Sequence, residues 1–272
     1  MLRKPFFLPS QQGDCFCLLS TPNAGTPIQG SVLIIPPFAE ELNQSRRAVS
    51  LLSRDLTEQG YAVLMLDLFG TGDSAGDFEA ATWSGWVHDT ITAMTYLTDR
   101  FPVKLSLMGI RMGALLALEA IATCHLKPQQ MVTWHPVWEG QQQLREFLRL
   151  LVAKNLASGQ PQPSVSTLKQ TLLQQGQLDV SGYTLSATLM HQMDQASAQH
   201  HTLSPGFPIQ WIEATPTPLK PRSSKNQAAI DALTAQGAKV SFKQLETARP
   251  FLSTDSIEEH DALRALTLKA FS

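Results

Sequence analysis

Four short apolar runs, separated by stretches with helical periodicity, limit what this chain can fold into more than any other feature. They are Ser31-Val32-Leu33-Ile34-Ile35, closed by Pro36-Pro37, then Tyr61 to Leu66, Val103 to Met108 and Gln130 to His135. A continuous apolar run of this length suits a strand covered on both faces, as in a parallel sheet. Between the runs, Ser45 to Gln59 places Val49, Leu52 and Leu56 at i, i+3 and i+7 and stops at Gly60, which predicts a helix. Thr82 to Arg100 and the Ala- and Leu-rich Met112 to Cys124 predict two more. A β-α-β-α-β order implies parallel strands, right-handed crossovers and helices on both faces. Cys15 to Leu19 adds an earlier strand.

The rhythm breaks after His135. From Pro136 to Gly206 no strand is evident, while Leu144 to Leu156, Ser164 to Gln175 and Ser186 to Ala196 read as helices, with Ser186 as an N-cap. Ser158-Gly159-Gln160-Pro161-Gln162-Pro163 reads as a linker. Alternation resumes with strand Ile209 to Ile212, helix Ser224 to Gln236, strand Lys239 to Leu245 and a last helix from about Asp255 to Phe271. With 272 residues, 43% of them hydrophobic, the chain can bury one sizeable core. The expected organisation is a single α/β domain from residues 1–135 and 207–272, interrupted by a helical insertion at 136–206.

Charge and composition exclude several classes. A net charge of −2, with no basic run longer than Arg46-Arg47, gives no footprint for nucleic acid. No stretch reaches the ~18 uninterrupted apolar residues of a membrane span. The three cysteines, Cys15, Cys17 and Cys124, form neither a disulfide framework nor a zinc pattern, and read as buried small hydrophobes. Gly70-Thr71-Gly72 lacks the spacing of a dinucleotide or P-loop site, so no cofactor and no metal are expected. The apolar run after Met1-Leu2-Arg3-Lys4-Pro5 is too short for a secretory signal, and a cytoplasmic location is expected.

The chemistry-bearing segment is Leu105-Ser106-Leu107-Met108-Gly109-Ile110-Arg111-Met112-Gly113-Ala114, a strand, a Gly-x-x-x-Gly turn and a helix. It resembles the G-x-S-x-G nucleophile elbow of α/β-hydrolases, with Arg111 at the serine position. Leu33 to Phe38 stands where that fold places its oxyanion loop, and Asp67-Leu68-Phe69-Gly70-Thr71-Gly72-Asp73-Ser74 resembles the loop after its next strand. All three blocks agree in order and spacing. The resemblance implies an α/β-hydrolase fold: a mostly parallel central sheet, helices on both faces and a helical lid at the insertion.

Pro36 to Arg46, Gly109 to Ala117, Trp134-His135-Pro136-Val137 ahead of Phe147-Leu148-Arg149-Leu150, and Asp179 to Ser186 resemble one family more closely. It is the second of two hydrolase types associated with bacterial exosortase A systems, which accompany PEP-CTERM protein sorting and exopolysaccharide production. The resemblance implies a hydrolase acting on an ester or other acyl bond of an envelope or exopolysaccharide-related substrate. The alternative is an inactive binding or scaffolding protein that has kept the fold.

Acyl transfer of the serine type needs a nucleophile, a base, an orienting acid and an oxyanion hole. The backbone N–H groups of Phe38 and Met112 stand at the oxyanion positions. Arg111 cannot attack, because a guanidinium stays protonated. The base is expected near Thr247-Ala248-Arg249-Pro250-Phe251, where there is no histidine; His260 lies further on and reads as a surface residue of the last helix. Glu213 best matches the acid position, or is a solvated strand-end carboxylate. Among other candidates, Ser74, Asp67 and Asp73 read as turn-organising groups. Arg111 opens a helix, where the dipole disfavours a bare cation, so a carboxylate is expected beside it: Glu40 or Glu41 first, Glu213 next. The arrangement would bind a small or anionic ligand or form a structural ion pair. His135 either lines the pocket or is a hydrogen-bonded structural residue. Trp134 and Trp138 flank it and would wall the pocket or pack in the core or lid.

Overall fold

In chain order, the computed structural model begins with strands β1 (Leu2–Pro9), β2 (Asp14–Thr21) and β3 (Gly30–Ile35). Helix α1 (Glu40–Glu58), β4 (Tyr61–Leu66), α2 (Trp83–Arg100), β5 (Leu105–Ile110), α3 (Gly113–Thr123) and β6 (Gln130–Trp134) follow. Next come α4 (Gly140–Ala157), α5 (Val165–Gln175), the hairpin β7 (Gln177–Val180) and β8 (Tyr183–Ser186), and α6 (Ala187–Gln195). The chain closes with β9 (Phe207–Thr215), α7 (Ser224–Ala235), β10 (Ala238–Glu246) and α8 (Asp261–Phe271). The structure describes residues 1–157, 163–219, 221–251 and 260–271. Most of the expected linker at 158–163, and the start of the expected last helix at 255, lie outside these residues.

Eight strands form one sheet in the order β1-β2-β4-β3-β5-β6-β9-β10. From β4 to β10 every pairing is parallel; β1 and β2 join antiparallel at one edge. Alternation along β3 divides the core. Val32 and Ile34 face one layer with Val49, Leu52 and Leu56 of α1 and Leu263 and Phe271 of α8. Leu33 and Ile35 face the other, with Met94 and Leu97 of α2, Leu115 and Leu118 of α3, and Leu233 of α7. Burying each such aliphatic chain is worth about 2 kcal/mol, so both faces hold the sheet. Cys15 and Cys17 point into the second layer, where burial pushes the Cys17 thiol up to about 12. No helix among the described residues is long and apolar enough to cross a membrane.

Three elements differ from the sequence expectation. Strand β1 was absent from it, and α1 begins at Glu40, five residues before the expected Ser45, so Glu40 and Glu41 belong to its first turn. There they meet the positive end of the helix dipole. The insertion is not purely helical: β7 and β8 pair about Ser181-Gly182, whose φ values of 56° and 90° are those of a tight hairpin turn. The expected Ser186 cap is present, its hydroxyl accepting from the Leu189 N–H.

Candidate functional site

The site lies at the carboxyl ends of β3, β5, β6 and β9, where the Gly109–Gly113 turn leaves β5. Both glycines are required by contact. A Cβ on Gly113 would sit 2.4 Å from the Ile35 carbonyl oxygen, and one on Gly109 would sit 2.5 Å from the Ala114 Cα. Between them Arg111 takes φ 53°, the left-handed conformation that lifts the elbow residue off the sheet. Its N–H donates to the Trp134 carbonyl at 2.9 Å and its carbonyl accepts from the Val137 N–H at 3.1 Å, which pins the turn to the end of β6.

The Arg111 side chain is clamped. Nε donates to Glu41 Oε1 at 3.0 Å, one terminal nitrogen donates to the His135 carbonyl at 3.3 Å, and the other donates to Glu146 of α4. The guanidinium also stacks 5.0 Å from the Phe251 ring centroid. Each carboxylate has a second partner on α4: Gln143 donates to Glu41 at 3.4 Å, and Gln142 to Glu146 at 2.8 Å. One cation therefore ties the elbow, the first turn of α1 and the first turns of α4 together. Burial pushes the Glu41 carboxyl above the ordinary carboxylate range, with the Glu146 charge adding to the push and Arg111 opposing it without cancelling it. Burial works against the Arg111 charge as well, but the two carboxylates overcome it and hold the guanidinium above its ordinary range. On acidification Glu41, not Arg111, is the member that changes charge.

The other expected residues separate. His135, at φ 44°, is buried and its Nε2 accepts from the Ala214 N–H at 2.6 Å. Burial, with Arg249 and Arg111 nearby, pushes its pKa down to about 3, so the ring is neutral near pH 7 and that lone pair is already used. Trp134 does not wall a pocket. It faces the α8 layer, fully buried, and donates to the Thr267 hydroxyl at 2.8 Å, because Trp134 alternates to that side of β6. Trp138 does line a cavity. Glu213 lies inside β9, which runs on to Thr215, and not after the strand; its Oε1 accepts from Trp211 Nε1 at 3.1 Å and Asn226 Nδ2 at 2.9 Å, with no bond to Arg111. Glu40 accepts from Asn43 at 3.0 Å and the Tyr183 hydroxyl at 3.1 Å, and so joins α1 to the hairpin rather than to the elbow. Ser74 and Asp67 organise their turn: the hydroxyl donates to the Asp67 carbonyl at 2.6 Å, and the carboxylate accepts from Arg46 at 3.1 Å and the Asp73 N–H at 3.1 Å. His260 sits immediately before α8 rather than within it.

Phe38 and Met112 stand at the positions expected for the oxyanion donors, beside the elbow. Among the described residues, neither backbone N–H donates to a protein acceptor. Two groups were missed from sequence. Glu146 lies mid-helix with nothing local to mark it. Phe251 occupies the stretch after the last strand where a base was sought, and its ring packs between Arg111 and His135, 5.1 Å from the imidazole. Arg111 is common to two cavities. One, of about 440 Å³, is lined by Phe38, Glu40, Glu41, Glu146, Phe147 and Phe251 among others. The second, of about 270 Å³, lies toward β9 and α7. No group of three or more His, Cys, Asp or Glu among the described residues is placed to hold a metal ion. Among the described residues the elbow holds no nucleophile beside a free base, but a cation locked between two acids.

Solved structures agree on the architecture. Est1E from Butyrivibrio proteoclasticus, solved with ferulic acid bound, superposes with a TM-score of 0.68 at 15% identity, covering 98% of this chain and 97% of that one. A thermostable carboxyl esterase from Bacillus coagulans, in complex with glycerol, gives 0.67 at 15% identity over 100% and 98% of the two chains. An alpha-beta serine hydrolase homologue from Coxiella burnetii gives 0.58 at 14% identity over 100% and 99%. At these identities the likeness is one of fold. No curated protein is significantly similar to the chain in sequence. Residues 26–217, more than half the chain, match the family described as serine aminopeptidase, S33. The chain therefore belongs to the serine aminopeptidase S33 family, within the α/β-hydrolase fold.

Proposed function

We propose that this protein is a catalytically silent member of its hydrolase family that works by binding or scaffolding in a bacterial exosortase A-associated system. The Arg111 clamp carries this reading. The elbow residue has no lone pair to attack with, Phe251 stands where a base is needed, and the His135 lone pair is spent on Ala214. Residues 136–206 act as a lid held to the elbow through Glu146 and Gln143. The free N–H groups of Phe38 and Met112 receive a carbonyl or anionic oxygen of the ligand, with Glu40 and Glu41 at the cavity rim. The exosortase setting, the exopolysaccharide-related ligand and the cytoplasmic location rest on the resemblance of Pro36 to Arg46, Gly109 to Ala117 and Trp134 to Val137.

A second reading is a hydrolase of an ester or other acyl bond, with Arg111 polarising the substrate and Glu213 at the acid position. The unused oxyanion amides favour it. Intact-mass spectrometry after incubation with a fluorophosphonate, and separately with an activated acyl ester, decides between the two. The silent reading expects no adduct and no turnover beside a serine hydrolase that labels. Turnover of the ester, or an adduct mapped to its peptide, would establish the second.

A further inference from the structure

The 270 Å³ cavity contains two unspent polar atoms. The Trp138 indole Nε1, on a side chain 6% exposed, is buried without an acceptor, and Gln236 Oε1 is buried without a donor. Both residues line this cavity. Leaving such groups unsatisfied costs about 1–3 kcal/mol each, so native structures supply partners for them. Most of their polar neighbours are already engaged with one another. Lys225 donates to Gln142 at 2.5 Å, Glu213 is taken by Trp211 and Asn226, and Glu139 accepts from Ser197 at 2.9 Å.

The remaining wall is apolar, built from Trp211 and from Ala228, Ala232 and Leu233 of α7. Arg111 is already held by Glu41 and Glu146, so an anionic occupant would find no cation to spare on that side. The two unspent atoms are themselves uncharged, one donor and one acceptor, and suit a neutral partner. An occupant that fits must be neutral, apolar on its faces, and able to offer one acceptor and one donor. The volume suits a ring of roughly ten non-hydrogen atoms or fewer.

We propose that this cavity, between β9, α7 and Trp138, is a binding site for a small neutral ring compound bearing a carbonyl and an adjacent N–H, a cyclic amide. The carbonyl accepts from Trp138 Nε1 and the N–H donates to Gln236 Oε1. The proposal deepens the binding reading given above, since it names a ligand class for a site bordering Arg111.

The test is NMR of protein carrying 15N-labelled tryptophan, titrated with δ-valerolactam, toluene and benzoate. The Trp138 indole signal is assigned by its loss in Trp138→Phe. The lactam is expected to shift that signal saturably at millimolar concentration, with toluene and benzoate at least tenfold weaker. Gln236→Leu should weaken the lactam about tenfold, and Ala232→Phe, which fills the cavity without adding an indole, should abolish the shift while the other four indole signals persist. No saturable lactam shift, equal binding of toluene, or an unaffected Gln236→Leu variant would overturn the proposal and leave water as the occupant. Fluorophosphonate labelling reports separately. An adduct with intact lactam binding refutes only the silent elbow, and absent lactam binding without an adduct refutes only this site.

Discussion

Replacing Arg111 with leucine keeps much of the side-chain volume and removes the charge. Two carboxylates then lose their cation, but unequally. The Glu41 side chain is 19% exposed and the Glu146 side chain 38%, so water takes over much of the second loss. Stranding a buried acid by removing its partner costs about 3–5 kcal/mol, and an exposed ion pair is worth under about 1 kcal/mol. The expected destabilisation at pH 7 is about 3 kcal/mol, mostly through Glu41. Its pH dependence has a definite sign. The folded-state pKa of Glu41 is already raised, so its protonated form is favoured by folding and the associated stability fades as pH rises through that value. Removing Arg111 raises the pKa further. The deficit of Arg111→Leu should therefore be larger at pH 8 than at pH 5, because acidification favours the protonated form of Glu41. Urea unfolding across that range measures it, with Glu41→Gln and the double variant completing a thermodynamic cycle. A deficit that is constant with pH, or single-variant effects that simply add, would refute the idea that Arg111 stabilises the fold through Glu41.

His135→Asn tests the opposite sign. Asparagine tolerates the positive φ, and loss of the buried imidazole should remove a fall in stability that the native protein shows below about pH 6.5, steepening by up to ~1.4 kcal/mol per pH unit toward about 3; parallel pH profiles in urea unfolding would contradict the assignment. Thr267→Val should cost about 1–3 kcal/mol by orphaning the Trp134 indole, without changing ligand binding, as thermal unfolding beside a binding titration would read. Arg111→Ser combined with Phe251→His sets a hydroxyl beside an imidazole and should label with a fluorophosphonate. Arg111→Ser alone should label about 10²–10⁴ times more slowly for want of a base, and equal rates by intact mass would show that Phe251 is not the vacant base position.

Legibility tracked how local the determining physics was. Strands β3 to β6 and their helices could be read because each carries its own period and its own stop. The elbow was legible because two glycines and a strand-helix junction sit within ten residues. Strand β1 was not, since Pro5, Pro9 and an exposed edge position remove the apolar alternation that marks a strand. The β7-β8 hairpin has strands of only four residues, and its one signal was the Ser181-Gly182 pair between alternating residues. In the site, the expectation of a carboxylate beside Arg111 followed from the helix dipole, and Glu41 fills it. Which of two adjacent acids turns inward depended on where α1 starts. Glu146 and Phe251 arrive from 35 and 140 residues away along the chain, so only the folded topology brings them to the elbow.

The clamp also bears on how such a chain can change. A mutation of Arg111 to serine does not by itself restore a hydrolase; it leaves Glu41 and Glu146 facing each other with no cation between them, and the Glu146 charge already disfavours the ionised form of Glu41. On the silent reading proposed above, fast acyl chemistry needs both a nucleophile and a base, and the serine step alone lowers stability while giving only slow reaction. On that reading the ion triad acts as an evolutionary ratchet, which obstructs a single-step path to acyl chemistry while leaving the rest of the fold free to diverge around a fixed, charged hub.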